Sequence, residues 1–259
     1  MKVIVSDPIS DDGLNIFYEN NIDVIDATDS IIDENYKHIS TANGWIIRSG
    51  TTLDANIIKK ADNLSVIGRA GVGIDNIDIA AATRKGVVVM NTPDANTISA
   101  AEHTMALLLS LSRNVSYGHQ SILSGNWGRH KFIGSELRAK TLGIIGLGKI
   151  GRGVMQRALG FNMKIIGFDP FIKEDILRSD EIELCDLNEL VEQSDFITLH
   201  IPLTNDTKNL FDYKMLTKMK KEARIINVAR GGIINESDLA KALHEGNIGG
   251  AALDVFENE

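Results

Sequence analysis

Short apolar runs alternate with amphipathic or polar stretches along most of the chain, and this alternation is typical of parallel α/β folds. In the first part of the chain, the segments between the apolar runs, such as 53–61, are long enough to cross over between parallel strands. The strands predicted here are 2–5, 22–25, 44–47, 64–67 and 87–90.

A turn-rich segment, 91–96, interrupts the alternation and precedes an apolar helix predicted over 98–114. We therefore predict two domains, residues 1–97 and residues 98–259. The second domain repeats the alternation of strand and helix. Its predicted strands are 141–146, 163–168, 195–200, 224–229 and 249–254, and its predicted helices are 149–160, 186–193, 212–220 and 235–245.

The composition is that of a globular chain of 259 residues, with 43% apolar and 24% charged side chains. A net charge of −8 disfavours nucleic acid and anionic membranes as partners. The single cysteine, Cys185, cannot form an internal disulfide, and no Cys/His spacing predicts a metal site. The apolar runs at 1–5 and 104–112 are too short for a secretory signal or for a membrane span, which needs about 20 residues. We therefore expect a cytoplasmic protein.

One glycine-rich turn is the most informative motif of the chain. It has the sequence Gly146-Leu147-Gly148-Lys149-Ile150-Gly151 and stands between an apolar strand and a predicted helix. In a dinucleotide-binding turn, Gly146 would make the tight turn, Gly148 would let a pyrophosphate approach the backbone, and Gly151 would let helix and strand pack closely. The helix N-terminus would then supply the anion site.

Asp169, followed by Pro170, stands at the end of the next predicted strand, where an acid binds the two ribose hydroxyls of a dinucleotide. A carboxylate there repels a 2′-phosphate, so the sequence predicts NAD and not NADP. The overlapping segment 143–149 matches the start of a P-loop, but Ile150 stands where that motif needs Ser or Thr to bind Mg²⁺. We therefore reject an NTPase.

Six segments together resemble the D-isomer-specific 2-hydroxyacid dehydrogenases over nearly the whole chain. They are 68–76, 91–103, 146–151, 200–203, 227–232 and 251–256. The resemblance implies two Rossmann-like lobes with parallel sheets, one flavodoxin-like and one NAD-binding, with the active site in a cleft between them. It also implies NAD as the cofactor, a small 2-hydroxy acid as the substrate and a homodimer built around the helix after Asn96.

The resemblance assigns catalytic roles in the second lobe. Arg230 follows an apolar strand, so it lies at the carboxyl edge of the sheet, and the resemblance implies that it binds the substrate carboxylate and polarises the C2 oxygen. Glu259 matches the relay acid that holds the catalytic imidazole. Asp254 matches the residue beneath the nicotinamide carboxamide. His200 is assigned to the adenine side and not to catalysis.

The residues that the resemblance implies form a cofactor set and a substrate set. The cofactor set is Gly146, Gly148, Lys149, Ile150, Gly151, Asp169, Pro170, Ile201, Pro202, Thr207, Val228, Ala229, Arg230 and Asp254. The substrate set is Arg48, Ser49, Arg69, Val72, Gly73, Asn96 and Arg129, the last from the neighbouring subunit. The N–H groups of Val72 and Gly73 are predicted to form an anion-binding nest. The alternative is that these are turn residues and solvated surface groups.

The family's catalytic histidine lies beyond the relay glutamate, and this sequence ends at Glu259. None of its six histidines stands in the required context. We therefore expect a truncated chain with impaired activity. Oxidation of 3-phospho-D-glycerate by NAD is the predicted reaction, and the arginines of the substrate set are the argument for a phosphate. The alternatives are a glyoxylate or hydroxypyruvate reductase and a non-catalytic NAD-binding regulatory protein.

Overall fold

The computed structural model describes residues 1–33, 36–172 and 181–258 and divides the chain into two compact units, Met1–Asn96 and Thr97–Glu259. Each unit is built on a parallel β-sheet with helices, so the predicted α/β fold class with two parallel sheets is confirmed. Among the residues that the structure describes, every helix is too short or too polar to cross a lipid bilayer.

The first unit contains a sheet of parallel strands: β1 (Lys2–Val5), β2 (Asp23–Asp26), β3 (Gly44–Ile47), β4 (Val66–Arg69) and β5 (Val88–Asn91). Their order in the sheet is β2-β1-β3-β4-β5, which is the order of flavodoxin-like folds. The inner strands are apolar because helices cover both faces of the sheet. Trp45 is fully buried there, and its indole N–H donates to the Ser6 hydroxyl at 3.0 Å.

The described residues of this unit also form three α-helices: α1 (Asp11–Glu19), α2 (Ala55–Lys60) and α3 (Ile79–Lys85). Each begins after a residue whose side chain accepts an N–H of the first turn, namely Ser10, Asp54 and Asp78. The last helix ends at Gly86, whose φ of +72° favours glycine.

The second unit contains the parallel strands β6 (Thr141–Ile145), β7 (Lys164–Phe168), β8 (Glu183–Leu184), β9 (Phe196–Leu199), β10 (Arg224–Asn227) and β11 (Gly250–Leu253). Their order is β11-β10-β9-β6-β7-β8, which is the order of a doubly wound dinucleotide-binding sheet. The order reverses between β6 and β9. Ligands of such sheets bind beyond the carboxyl ends of the strands at this reversal.

The helices described in the second unit are α4 (Thr97–Arg113), α5 (Val115–Leu123), α6 (Lys149–Gly160), α7 (Leu187–Gln193), α8 (Tyr213–Leu216) and α9 (Glu236–His244). Short acceptor side chains at Asp186 and Asn235 predict two of the helix starts. Their side chains accept the N–H groups of Glu189 and Asp238 at 2.9 Å and 3.0 Å. Both predicted caps are therefore confirmed.

Two elements of the second unit differ from the prediction. The helix predicted over 212–220 ends at Leu216, and isolated turns follow it. It ends there because the Thr217 hydroxyl donates to the Lys214 carbonyl at 3.1 Å and competes with helical bonding. The strand β8 was absent from the predicted elements, since two residues are too few to give an apolar run.

Candidate active site

The glycine-rich turn joins β6 to α6, and two of its glycines are required by the fold. Gly146 has a φ of +92°, and a Cβ on it would lie 2.5 Å from the His200 carbonyl oxygen. A Cβ on Gly151 would lie 2.0 Å from the Gly146 carbonyl oxygen. A larger residue at either position would therefore force the turn away from its neighbours.

Gly148, by contrast, is surrounded by open space. Its φ of −65° and ψ of −166° are angles that any residue can adopt, and a Cβ on it would meet no atom within 4 Å. The first N–H groups of α6 begin directly after it, at a helix end that attracts anions. Packing therefore does not require glycine at position 148, whereas the predicted close approach of a pyrophosphate would.

Asp169 directly follows β7, and both of its carboxylate oxygens accept backbone N–H groups. Oδ2 accepts from Leu147 and Oδ1 accepts from Phe171, each at 2.9 Å. The carboxylate therefore braces the glycine-rich turn and keeps lone pairs for further donors. This geometry fits the predicted contact with ribose hydroxyls, and the neighbouring Pro170 is exposed. The ribose contact itself stays a prediction.

His200 directly follows β9, and its Nε2 lies 3.0 Å from the hydroxyl of the buried Thr198. Burial lowers the pKa of His200 to about 4, so its ring is neutral at pH 7. A neutral imidazole in this setting supplies no proton near neutral pH. The low pKa of His200 therefore argues against an acid–base role, and its placement on the adenine side stays a prediction.

The depressed pKa of His200 makes the stability of the second unit depend on pH. Below about pH 6.5 the unfolded chain binds a proton that the folded chain binds only below about pH 4. Stability is therefore expected to fall by about 3 kcal/mol as the pH decreases through this window. Urea unfolding of wild type and of His200→Gln measures the effect. The same pH dependence of the unfolding free energy in wild type and in His200→Gln would contradict this prediction. His244→Gln, which changes an exposed histidine, is the control.

The loop after His200 carries three predicted cofactor contacts. Ile201 is half-buried and Pro202 is exposed. The Thr207 hydroxyl donates to the Pro202 carbonyl at 2.6 Å and accepts the Thr204 N–H at 2.7 Å. Thr207 thus closes the loop on itself, and its contact with the cofactor phosphates stays a prediction.

Asn227 ends β10, is buried and shapes the turn that follows, although no role is predicted for it from the sequence. Its Nδ2 donates to the Arg230 carbonyl at 2.9 Å, and its Oδ1 accepts the Ala229 N–H at 3.0 Å. The Arg230 Nη1 donates to the Ala229 carbonyl at 2.6 Å. These bonds fold Val228, Ala229 and Arg230 into one half-buried turn. A polar residue that closes an apolar strand is the local signal that could have identified Asn227.

The turn that holds Arg230 packs on the segment that follows β11. A Cβ on Gly231 would lie 1.9 Å from the Phe256 carbonyl oxygen, and the Asp254 N–H donates to the carbonyl at the end of β10 at 3.0 Å. The structure therefore brings Arg230 and Asp254 to neighbouring strand ends. Glu259, the predicted relay acid, lies outside the described residues.

In the first unit, Arg48 and Ser49 are exposed in the loop after β3. The buried Asp7 shapes this loop, because its Oδ2 accepts the N–H groups of Arg48 at 2.5 Å and of Thr51 at 3.1 Å. Sequence reasoning missed Asp7, although a polar residue just after an apolar strand is a local signal for it. Substrate binding by Arg48 and Ser49 stays a prediction.

The second predicted substrate loop follows β4. Arg69 lies over Gly71, since a Cβ on this glycine would lie 1.9 Å from the Arg69 Nη1. The loop is tied to β5 because the Asn91 side chain donates to the Val72 carbonyl at 2.7 Å. Neither Gly71 nor Gly73 has a positive φ, so the predicted nest does not alternate right- and left-handed residues. Anion binding by Val72 and Gly73 stays a prediction.

Two further residues of the substrate set are exposed. Asn96 is the last residue of the first unit. Arg129 begins a short 3₁₀ helix, Arg129–Lys131, in the second unit. The predicted substrate set is thus divided between the units, with Arg129 in the second and the other members in the first.

Metal-ligating and thiol side chains are dispersed. Across the described ranges, no three His, Cys, Asp or Glu side chains are grouped so that they could hold a metal ion. Burial, together with Glu189, Glu183 and Asp186, raises the pKa of the Cys185 thiol to about 11. The thiol is therefore protonated at neutral pH, which makes it a poor nucleophile.

Residues 105–259 match the family model described as the NAD binding domain of D-isomer specific 2-hydroxyacid dehydrogenases. The chain belongs to this family. The resemblance inferred from the six sequence segments is therefore confirmed. The description of the matched domain also confirms NAD as the predicted cofactor of this family member.

Among individual relatives, the D-3-phosphoglycerate dehydrogenase of Methanocaldococcus jannaschii is 48% identical over 261 residues. The alignment covers 100% of this chain and 49% of that enzyme. The chain therefore spans about half the length of the curated relatives it matches.

Solved structures of similar proteins have the same fold. A protein from Thermus thermophilus has a TM-score of 0.91 and 31% identity, with 100% of this chain and 83% of that protein covered. The D-lactate dehydrogenase of Aquifex aeolicus, complexed with NAD and lactic acid, has a TM-score of 0.89 and 29% identity, with 100% and 78% covered. These similarities confirm the predicted fold class.

Proposed function

We propose that this family member is an NAD-dependent oxidoreductase that transfers a hydride from 3-phospho-D-glycerate to NAD and forms 3-phosphohydroxypyruvate. The observation that carries the proposal is the 48% identity, over the whole chain, to a D-3-phosphoglycerate dehydrogenase. The site supports it, because the glycine-rich turn, Asp169 and Arg230 lie at the carboxyl edge of one parallel sheet, where such folds bind their ligands.

Bound NAD would supply the hydride acceptor, and the residues of the chain would position the substrate. The planar guanidinium of Arg230 binds the substrate carboxylate through paired N–H groups and polarises the C2 oxygen. Asn227 fixes the turn in advance, so little reorganisation is needed when substrate binds. Asp254 would face the carboxamide of bound NAD. Glu259 would hold an imidazole that takes the hydroxyl proton, a role that is assigned to none of the six histidines of this sequence.

A phosphate on the substrate distinguishes this proposal from a glyoxylate or hydroxypyruvate reductase. Arg48, Arg69 and Arg129 are the cations that we propose for the phosphate. Arg48 has a backbone held by Asp7 and an exposed side chain, which suits a group that meets a ligand. Non-phosphorylated substrates would not require these side chains.

Binding measurements on the 259-residue chain test this proposal. NAD is titrated first, and 3-phospho-D-glycerate or D-glycerate is then titrated into the NAD-saturated chain. Absorbance follows NADH formation, which we expect to be slow because none of the six histidines of this sequence is assigned to the proton transfer. We expect NAD to bind and the phosphorylated acid to bind at least about tenfold more tightly than D-glycerate, because charge-assisted hydrogen bonds hold the phosphate. Equal binding of the two acids would contradict the phosphate assignment. Failure of NAD to bind would overturn the whole proposal.

We also propose that the chain forms a homodimer through α5 and the segment that follows it. Met105 and Leu108 of α4 are buried in the core of the second unit, so the apolar stretch of that helix is already used in packing. No residue of α5 is buried, and Trp127 and Ile133 beyond it are 81% and 84% exposed. Several exposed apolar side chains along one short stretch of chain are typical of an interaction surface.

Trp127→Glu tests the dimer. We expect wild type to sediment as a dimer and Trp127→Glu to sediment as a monomer, because the buried face of an association cannot accept an unpaired carboxylate. Ile31→Glu, which changes an equally exposed apolar residue in the first unit, should remain dimeric. A monomeric wild type would contradict the proposal.

A further inference from the structure

One polar contact in the second unit has no part in the roles described above. The His103 Nε2 lies 3.1 Å from the Asp254 Oδ1. His103 belongs to α4, and Asp254 stands directly after β11. The contact therefore joins a helix to the strand end that lies beside the Arg230 turn.

The packing of α4 does not depend on this contact. The helix is anchored by the buried side chains Ala101, Met105 and Leu108. The side chains of His103 and Asp254 are 48% and 49% exposed, and ion pairs at such positions add little to stability. A polar contact that contributes little to folding, at an edge where ligands bind, points to a role in ligand binding.

The contact restricts the direction of the Asp254 carboxylate. The main chain of Asp254 is already fixed, because its N–H donates to the carbonyl at the end of β10. When Nε2 of His103 donates to Oδ1, rotation of the side chain is also limited, and Oδ2 has a defined direction. A carboxylate oxygen held in this way is a prepared acceptor for an amide N–H, such as those of a carboxamide.

We propose that His103 is a positioning residue that orients Asp254 toward the nicotinamide end of NAD. This inference rests on the proposed function, and it deepens that function by adding a residue that acts through Asp254. In this proposal His103 would act only through Asp254 and would make no contact with the pyrophosphate or adenosine parts of the cofactor. Its effect is therefore confined to ligands that carry the nicotinamide carboxamide.

ADP-ribose, which lacks nicotinamide, provides the test. We expect His103→Leu to raise the Kd of NAD about three- to tenfold, which is the net contribution of one ordinary hydrogen bond, and to leave the Kd of ADP-ribose within about twofold. His103→Gln keeps a side-chain N–H donor and should restore most of the NAD affinity. His244→Leu, on the exposed face of α9, is the matched control and should change neither Kd.

A mutant cycle with Asp254→Ala completes the experiment. If His103 acts through Asp254, His103→Leu should have no further effect on the NAD Kd in that background. Equal weakening of NAD and ADP-ribose would indicate a structural role only and overturn the inference, as would unchanged NAD binding in His103→Leu. A wild type that does not bind NAD would instead overturn the proposed function.

Discussion

Gly148→Ala is expected to raise the Kd of NAD at least about a hundredfold, a loss of about 2.7 kcal/mol, while the chain folds normally. The new methyl group meets no protein atom within 4 Å, and alanine adopts the observed φ and ψ without strain. The same methyl group would occupy the space through which a pyrophosphate approaches the first turn of α6. Titration of NAD measures the loss of affinity. The free energy of unfolding, measured in urea, should remain within about 0.5 kcal/mol of the wild-type value.

Two other glycines serve as controls for this result. Gly160→Ala, at the last residue of α6, also places a methyl group in open space and should keep the affinity for NAD. Gly151→Ala should destabilise the chain by about 3 kcal/mol, because its methyl group would lie 2.0 Å from the Gly146 carbonyl oxygen. If Gly148→Ala bound NAD as wild type does, the pyrophosphate would not lie at this turn.

Arg230→Lys is expected to raise the Kd of 3-phospho-D-glycerate for the NAD-saturated chain by about ten- to a hundredfold. Lysine keeps the charge but cannot bind both carboxylate oxygens with a planar fork. Arg230→Gln also removes the charge, so it should lose more affinity. The free energy of unfolding should fall by about 1 kcal/mol, because the substitution removes the hydrogen bond from the Arg230 Nη1 to the Ala229 carbonyl but leaves the bonds from Asn227 to backbone atoms of the turn.

Arg138→Gln is the matched control for this second result, since Arg138 is an exposed arginine of the same unit. It should bind both NAD and 3-phospho-D-glycerate as wild type does. Unchanged binding of the acid in Arg230→Gln would contradict the role of Arg230 in holding the carboxylate. A loss of NAD affinity of equal size would indicate instead that the main effect of Arg230 is on cofactor binding, either through its predicted cofactor contact or through the position of the turn.

The fold was predictable from the sequence because strands buried on both faces of a parallel sheet are continuous apolar runs. The strand β9 is an example, since all four of its residues are buried. The helix predicted over 212–220 was too long because a side-chain bond of Thr217 competes with helical bonding, and an apolar pattern does not contain that information.

The site was predictable only in part. Gly148 and Asp169 are recognisable because their motif is local and its spacing is set by the strand, turn and helix that carry it. The contact between His103 and Asp254 joins residues that are 151 positions apart, and the role of Asp7 depends on a loop 41 positions away. Such contacts depend on the order of the strands in the sheet, and a local sequence pattern does not determine that order.

The two hydrogen bonds of Asp169 restrict how the specificity of the chain could change from NAD to a phosphorylated dinucleotide. The carboxylate that would repel a 2′-phosphate is also the acceptor that braces Leu147 of the glycine-rich turn. Replacing it with a small or cationic residue, as a route toward phosphorylated dinucleotides, would remove the brace together with the repulsion. Asp169→Asn drops the charge and keeps an acceptor oxygen for the Leu147 N–H, so it separates the loss of repulsion from the loss of this hydrogen bond.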